Sequence, residues 1–162
     1  MLRVVEFSDA LAGHFHDINA EWITSMFVME DVDRHVLQNP RETIIDPGGA
    51  ILFVELEGQG IVGAGALRWA DPGQLELTKM GVKSGLRGLK AGEVLLDALI
   101  ARAATMKPDR LYLLTSERCI AAVHLYEKSG FEHDAELLES ARHHYERCDV
   151  AMTYRHSASD KH

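Results

Sequence analysis

Residues 76–96 read ELTKMGVKSGLRGLKAGEVLL, and this stretch decides the fold. A strand pattern ends near Val82, a glycine-rich basic loop follows, and an apolar helical pattern begins near Lys90 or Gly92 and runs to about Met106. The unpaired N–H groups and the positive dipole end at the start of a helix attract an anion. The stretch therefore predicts a binding site for a polyphosphate.

The composition of the loop favours a pyrophosphate in particular. Gly85, Gly88 and Gly92 let the backbone approach a ligand closely. The cations of the region form the basic cluster Lys79, Lys83, Arg87 and Lys90. The P-loop pattern GxxxxGK[ST] and the Rossmann pattern GxGxxG are both absent. On the loop alone, a plain strand–turn–helix is an equal alternative.

The flanking segments predict a mixed α/β fold. Apolar runs bounded by turn residues predict seven strands, at residues 2–7, 51–56, 61–69, 74–82, 111–114, a short segment from Phe131, and 147–154. Helical patterns cover residues 9–26, 30–37 and 120–128, besides the long helix. The order is β-α-α-β-β-β-α-β-α-β-β. It starts antiparallel and contains at least one β-α-β crossover, which should be right-handed.

Length and composition are those of one globular domain. The chain has 162 residues, of which 46% are hydrophobic and 26% charged, as in average soluble proteins. We expect a single domain over residues 1–156 and a frayed tail over residues 157–162. No apolar run reaches the ~18 residues of a membrane span, and the N-terminus lacks a secretory pattern. We therefore expect a cytoplasmic protein.

Charge and residue spacing argue against several function classes. The 17 Lys and Arg against 25 Asp and Glu give a net charge of −8, whereas nucleic-acid binders present a basic face. We expect no nucleic-acid or membrane partner, and a negative field that favours cationic substrates. Cys119 and Cys148 form no CxxC, and the nine histidines lack metal-site spacing. We therefore expect free thiols and no metal.

Three short motifs stand in register along the chain. Residues 87–92 read RGLKAG at the start of the long helix, residues 125–131 read LYEKSGF, and residues 145–152 read YERCDVAM. Together they resemble the motifs of the GNAT superfamily of acyl-CoA-dependent N-acetyltransferases. The resemblance extends over nearly the whole chain. It implies a mixed, mostly antiparallel sheet of about seven strands with about four flanking helices, splayed between the fourth and fifth strands.

The same resemblance implies acetyl-CoA as co-substrate and a primary amine of a small molecule or protein as acceptor, joined in a ternary complex. It places the cofactor at Met80, Val82, Arg87, Gly88, Leu89, Lys90, Ala91, Gly92, Ser116 and Tyr126. The backbone of Val82 would bond the pantetheine amides like an added strand. Lys90 replaces the first glycine of the motif. The replacement causes no backbone strain if Lys90 has an ordinary helical φ. Ser116 replaces a common asparagine and has a shorter reach.

The reaction requires a base and an oxyanion donor. Freeing the lone pair of an alkylamine at pH 7 costs roughly 4–5 kcal/mol, so a base or a water relay must take its proton. Glu76 matches a catalytic glutamate of some family members, and the alternative is a solvated strand glutamate. Strand alternation predicts that it shares a side with Thr78, Met80 and Val82. By family analogy the backbone N–H of Met80 holds the oxyanion.

Tyr126 is the candidate general acid for the departing thiolate, because a phenol with a pKa near ~10 is protonated at neutral pH. The alternative is a tyrosine buried only for its ring. Gly81 either eases a bulge or serves close packing.

The acceptor wall is expected from residues 22–35 and 134–145. Their acidic side chains suit a polyamine, lysine or aminoglycoside, or form only a solvated face; they are Glu30, Asp31, Asp33, Asp134, Glu136 and Glu139. A rival interpretation is a non-catalytic acyl-CoA-binding sensor or interaction module on the same fold. Dimerisation through the C-terminal strands is a further expectation.

Overall fold

The computed structural model describes residues 1–86, 90–141 and 148–155. Seven strands form one sheet in the order β1-β2-β3-β4-β5-β7-β6. The strands are β1 Leu2–Glu6, β2 Ala50–Leu56, β3 Gly60–Asp71, β4 Gln74–Val82, β5 Arg110–Thr115, β6 Phe131–His133 and β7 Val150–Tyr154. Only β4 and β5 pair in parallel within the described sheet, across the crossover helix. The predicted mixed, mostly antiparallel fold is confirmed.

Five α-helices flank this sheet in the described part of the chain. They are α1 Ala12–Met26, α2 Asp31–Gln38, α3 Ala91–Met106, α4 Ile120–Lys128 and α5 Ala135–Ala141. A short 3₁₀ turn, Asp9–Leu11, leads into α1, and a π-helical turn, Arg41–Ile45, follows Pro40. The sequence analysis expected about four helices, and α5 is the addition. The expected tail, residues 157–162, lies outside the described residues.

The sheet separates two apolar layers. On one side, α3 packs Leu95, Leu96 and Leu99 against the sheet in the larger core, which also holds Leu75 and Leu77 of β4. On the other side, α1 and α2 pack against β2 and β3 through a second core that includes Phe15, Ile18, Val36, Leu37 and Phe53. Side chains that alternate along β4 therefore reach different layers. The layer opposite α3 is the one in which the pocket lies.

A β-bulge in β4 changes that alternation. In the β3–β4 ladder, Thr78 pairs with Ala66 and Gly81 pairs with Ala64, so β4 has one extra residue. Lys79 within this bulge has a left-handed φ of 52°. Beyond it, Met80 and Val82 pack against the α3 core together with Leu75 and Leu77. The expectation that Met80 and Val82 share a side with Glu76 is therefore wrong, because the bulge reverses the parity of the strand.

β4 and β5 separate after a short parallel ladder. Their pairing runs from Gln74↔Arg110 to Leu77↔Leu113, although β4 continues to Val82 and β5 to Thr115. This is the splay that the resemblance implied, and it leaves one edge of each strand end without a neighbouring strand. Among the described helices none is long and apolar enough to cross a membrane.

Candidate active site at the splayed strands

A pocket opens where β4 and β5 separate. It is lined by residues of α1, β4, β5 and the segments that follow β5 and precede β7, namely Trp22, Phe27, Thr78, Lys79, Leu114, Thr115, Ser116, Cys119 and Cys148. Gly81 lies behind it: a Cβ there would stand 2.4 Å from Cδ1 of Trp22. Gly81 is thus required for close packing of the indole, while the left-handed φ of the bulge belongs to Lys79.

The cation that lines the pocket belongs to a buried ion pair. The Lys79 side chain is 3% exposed, and its Nζ lies 3.1 Å from Oδ1 of Asp33, which is 0% exposed. The other carboxylate oxygen of Asp33 accepts the backbone N–H of Glu30 and so caps α2. The sequence analysis grouped Lys79 with the basic loop cations. That grouping is wrong, because the bulge turns Lys79 to the opposite layer.

Glu76 is buried in the same layer. It is 3% exposed and its Oε1 lies 3.4 Å from a guanidinium nitrogen of Arg68 on β3. On its other side it pairs in register with Tyr112 of β5. Burial, and then the charge of Glu76, raise the pKa of Tyr112 above its usual range. Glu76 is therefore not a solvated strand glutamate, although it does not itself line the pocket.

Tyr126 lies inside the α3 core on helix α4. Its ring makes an edge contact with Phe131, with the centroids 5.9 Å apart. Burial raises the pKa of Tyr126 above its usual range, and nearby Cys119, which lines the pocket, raises it further. The phenol consequently keeps its proton at neutral pH. The burial agrees with a tyrosine placed for its ring, and the role as general acid stays a prediction.

The backbone of Val82 points into the splay. Lys83 N–H donates to the Val62 carbonyl over 2.8 Å, so Lys83 and Val62 form a hydrogen-bonded antiparallel pair. The preceding pair, Val82 and Gly63, is then the non-hydrogen-bonded type, whose N–H and C=O groups point away from the partner strand. Away from β3 is towards the gap left by β5. An extended amide ligand in the gap would meet these groups.

The start of α3 lies next to Val82. Ala91, the first helical residue, is buried, and Gly92 follows it. A Cβ added to Gly92 would meet only ordinary contacts, 3.7 Å from Leu125 and 3.8 Å from Val82. Among the described residues, no contact therefore requires a glycine at position 92. Arg87, Gly88 and Leu89 lie outside the described residues.

Lys90 precedes this helix with an unexpected backbone conformation. Its φ is 64° and its ψ is 14°, which is left-handed. The condition under which the lysine would cost nothing, an ordinary helical φ, is therefore not met, and the position has the conformation in which glycine is least strained. The lysine holds its charge at the helix start at the expense of backbone strain.

Comparison with known proteins places these features in a family. The family model described as "Acetyltransferase (GNAT) family" matches residues 15–131. The chain belongs to the GNAT acetyltransferase family. No curated protein matches its sequence significantly.

Solved structures share the GNAT fold at low sequence identity. An acetyltransferase of the GNAT family from Staphylococcus aureus Mu50 matches with a TM-score of 0.83 and 23% identity, over 95% of this chain and 98% of that one. A putative acyl-CoA N-acyltransferase from Klebsiella pneumoniae matches with a TM-score of 0.68 and 24% identity, over 95% and 97%. N-acetylglutamate synthase from Neisseria gonorrhoeae, complexed with coenzyme A and L-arginine, matches with a TM-score of 0.65 and 18% identity, over 95% of this chain and 33% of that one.

Ser116 and the two cysteines also lie in the pocket wall. Ser116 is buried in the pocket wall, where its Oγ accepts the backbone N–H of Arg118 over 3.2 Å. Cys119 and Cys148, both in the wall, are not joined by a disulfide. Within residues 1–86, 90–141 and 148–155, no group of three or more His, Cys, Asp or Glu is placed to hold a metal ion.

The acidic residues expected to receive an amine mostly have structural partners. Asp33 binds Lys79, and exposed Asp31 pairs with Arg34. Asp134 caps α5 by accepting the backbone N–H of Leu137 over 3.0 Å. The described residues that line the pocket include no carboxylate. Phe27 falls within residues 22–35, which were expected to form the acceptor wall. Lys79 was not expected there, because the bulge that turns it towards the pocket is not visible in a local pattern.

Proposed function

We propose that this GNAT protein is an N-acetyltransferase that moves the acetyl group of acetyl-CoA to a primary amine by direct attack in a ternary complex. The observation that carries the proposal is the splay. The ladder between β4 and β5 stops at Leu77↔Leu113, the Val82 backbone points into the gap, and a pocket opens in the layer opposite α3. One gap thus has a thioester side and an acceptor side.

The cofactor side uses backbone groups and the start of α3. Val82 would pair with the pantetheine amides as an added strand. The loop 87–92, with Arg87, Gly88, Leu89, Lys90, Ala91 and Gly92, would hold the pyrophosphate through helix N–H groups and two charges. Because a methyl group at Gly92 would meet only ordinary contacts among the described residues, we attribute the glycine to a ligand that approaches the backbone.

The chemical step needs three groups. Glu76, buried beside Arg68, would accept the amine proton through a relay, since it lies behind rather than in the pocket wall. The backbone N–H of Met80, in the bulge, would stabilise the oxyanion. Tyr126, held in its protonated form by burial, would give its proton to the departing thiolate. Ser116 would contact the pantetheine or the thiol from the pocket wall.

The proposal also includes the domain organisation, the cellular location and the oligomeric state of the protein. Residues 1–156 would form one domain with a frayed tail at residues 157–162, acting in the cytoplasm. Homodimerisation through the C-terminal strands is part of the same proposal, and sedimentation of the purified protein tests it.

Calorimetric titration with CoA tests the cofactor side. Gly92→Ala should weaken CoA binding at least tenfold while thermal stability without ligand is kept, because the new methyl group clashes with the ligand alone. Gly13→Ala is the matched control: beyond its chain neighbours and its own helix backbone, the added Cβ meets no atom of the described residues within 4 Å, so CoA affinity should not change. An affinity unaffected by Gly92→Ala, or no heat of binding at millimolar CoA, contradicts the proposed site.

Two-substrate initial-rate kinetics test the direct attack. Intersecting double-reciprocal lines are expected for a ternary complex, whereas parallel lines would indicate an acetylated enzyme. CoA binding without turnover over a broad amine panel would instead favour the sensor.

A further inference from the structure

The charges around the pocket differ from those of the molecule as a whole. The chain carries a net charge of −8, yet the charged side chain in the described pocket wall is a cation, Lys79. Its partner Asp33 is fully buried and is not a lining residue. Of the two residues of the ion pair, the cationic one is therefore the one that lies in the described pocket wall.

A second cation stands at the pocket wall. The guanidinium carbon of exposed Arg118 lies 4.8 Å from the ring centroid of Phe27, a lining residue. This contact joins the end of α1 to the segment after β5. The carboxylate of Asp149, the residue after Cys148, accepts the backbone N–H of Glu117 over 2.7 Å. Arg118 and Lys79 thus place two positive charges about a pocket with aromatic and hydroxyl walls.

The backbone at Lys79 shows that its position is enforced. A left-handed φ of 52° on a non-glycine residue is strained, and burying two opposite charges is not a general source of stability. Strain of this kind persists where the surrounding structure holds it, commonly at a ligand site. The strained φ and the buried ion pair both occur at Lys79, which precedes Met80 and lines the pocket.

We propose that Lys79 and Arg118 select an acceptor amine that also carries a carboxylate, such as an amino acid, and disfavour polyamines. The inference rests on the proposed acetyltransfer. A polyamine would bring a second ammonium group to the cationic wall, where its hydration is lost and like charges repel. A carboxylate would instead find Lys79 in the wall and Arg118 at the rim, whose planar guanidinium suits bidentate binding.

A matched acceptor panel tests the selection. Phenylalanine, phenylalaninamide and phenethylamine share one ring and one primary amine and differ in the carboxylate; spermidine represents the polyamines. The amide has the least basic amine, so selection on amine basicity alone would rank the amide first. Recognition of the carboxylate predicts that phenylalanine has the highest kcat/KM, at least tenfold above the amide. The same order is expected for alanine and alaninamide, which tests acceptors without the ring.

Two variants assign the effect to the named cations. Arg118→Gln, at an exposed position, should reduce the acid-over-amide ratio at least threefold, mainly through KM of the acid. The double variant Lys79→Met with Asp33→Asn removes both buried charges together and should reduce the ratio further. Arg102→Gln, on α3 in the opposite layer, is the control and should leave the ratio unchanged.

The outcomes separate the two proposals. A preference for amides, simple amines or spermidine, or an acid preference that survives Arg118→Gln and the double variant, overturns the acceptor selection and leaves acetyltransfer intact. No acetylation of any amine by a protein that binds CoA overturns both.

Discussion

Among the single residues of the site, Tyr126 is the one whose chemical role is most readily tested by a substitution. Tyr126→Phe removes one oxygen and keeps the ring on Phe131. The unfolding free energy should change by about 1 kcal/mol or less. The chemical step should slow by about 10–10⁴-fold if the phenol protonates the thiolate, measured by single-turnover thiol release.

A matched tyrosine controls for packing. Tyr154→Phe alters the other tyrosine that packs on Phe131, at 5.4 Å between centroids, and should leave turnover unchanged. Equal rates for wild type and Tyr126→Phe would assign protonation of the thiolate to solvent.

Glu76 gives a prediction about pH. Glu76→Gln removes the charge but keeps the shape, and Arg68 is one-third exposed and so can be hydrated in its absence. We expect kcat to fall by about 10²–10⁴-fold, CoA affinity to stay the same, and the acidic limb of the pH–rate profile to move. The profile of kcat against pH measures this. A limb that stays in place with an unaltered rate would mean that another group takes the amine proton.

Lys90 gives a prediction about backbone strain. Lys90→Gly should raise the free energy of unfolding by about 0.5–1 kcal/mol, because glycine relieves the left-handed φ of 64° but loses more entropy on folding. Lys107→Gly, at φ 53° after α3, should stabilise the protein to a similar extent. Under the proposed function only the change at Lys90 should weaken CoA binding. Urea denaturation and calorimetry supply the two measurements, and a destabilised Lys90→Gly protein would contradict the assigned strain.

At the scale of elements, Asp134 connects α5 to the sheet. One carboxylate oxygen accepts the N–H of Leu137, and the other accepts the hydroxyl of Thr153 on β7 over 2.8 Å. The backbone bond, followed by the Thr153 bond, lowers the pKa of Asp134. Its stabilisation is therefore complete above the ordinary aspartate pKa of ~3.9 and is lost as pH falls through the lowered folded value.

Asp134→Asn should accordingly cost about 1 kcal/mol at pH 7, because the hydrogen bonds from Leu137 and Thr153 lose their charged acceptor. The difference from wild type should shrink below about pH 4, where the wild-type carboxyl also becomes protonated. Denaturation at pH 7 and pH 3 measures it. A constant difference across that range would show that the charge of Asp134 does not contribute.

Local patterns predicted most elements, and the exceptions have physical causes. β4 and α4 were placed within the observed bounds, because their apolar residues and turn signals are local. Helix α5 was missed because AELLESA is a single short stretch after a strand, although Asp134 before it is an N-cap signal. The π-helical turn at Arg41–Ile45 likewise has no local period of its own.

The bulge limited what could be inferred about the site. An extra residue in β4 is set by pairing with β3, which a single strand sequence does not display. Glu76, Tyr126 and Ser116 were proposed from the sequence for catalysis or cofactor binding; all three are buried, and Ser116 lines the pocket, while their roles stay predictions. The sides of Met80 and Val82 and the partner of Lys79 were wrong for the same reason, since each depends on that one residue.

At the scale of the whole molecule, one gap between two parallel strands organises both halves of the proposed reaction. The α3 core fixes Val82 and the helix start on one side, and α1 with the capped α2 supports the pocket on the other. Acetyl transfer across this gap is the central claim.

The most direct test is a combined measurement of thiol release and amine product from acetyl-CoA and phenylalanine by mass spectrometry. The account predicts that each CoA released is matched by one N-acetylated amine, and that both signals fall together in Tyr126→Phe. Thiol release without an N-acetylated product, or CoA binding with no acetylated product from any amine, would contradict it.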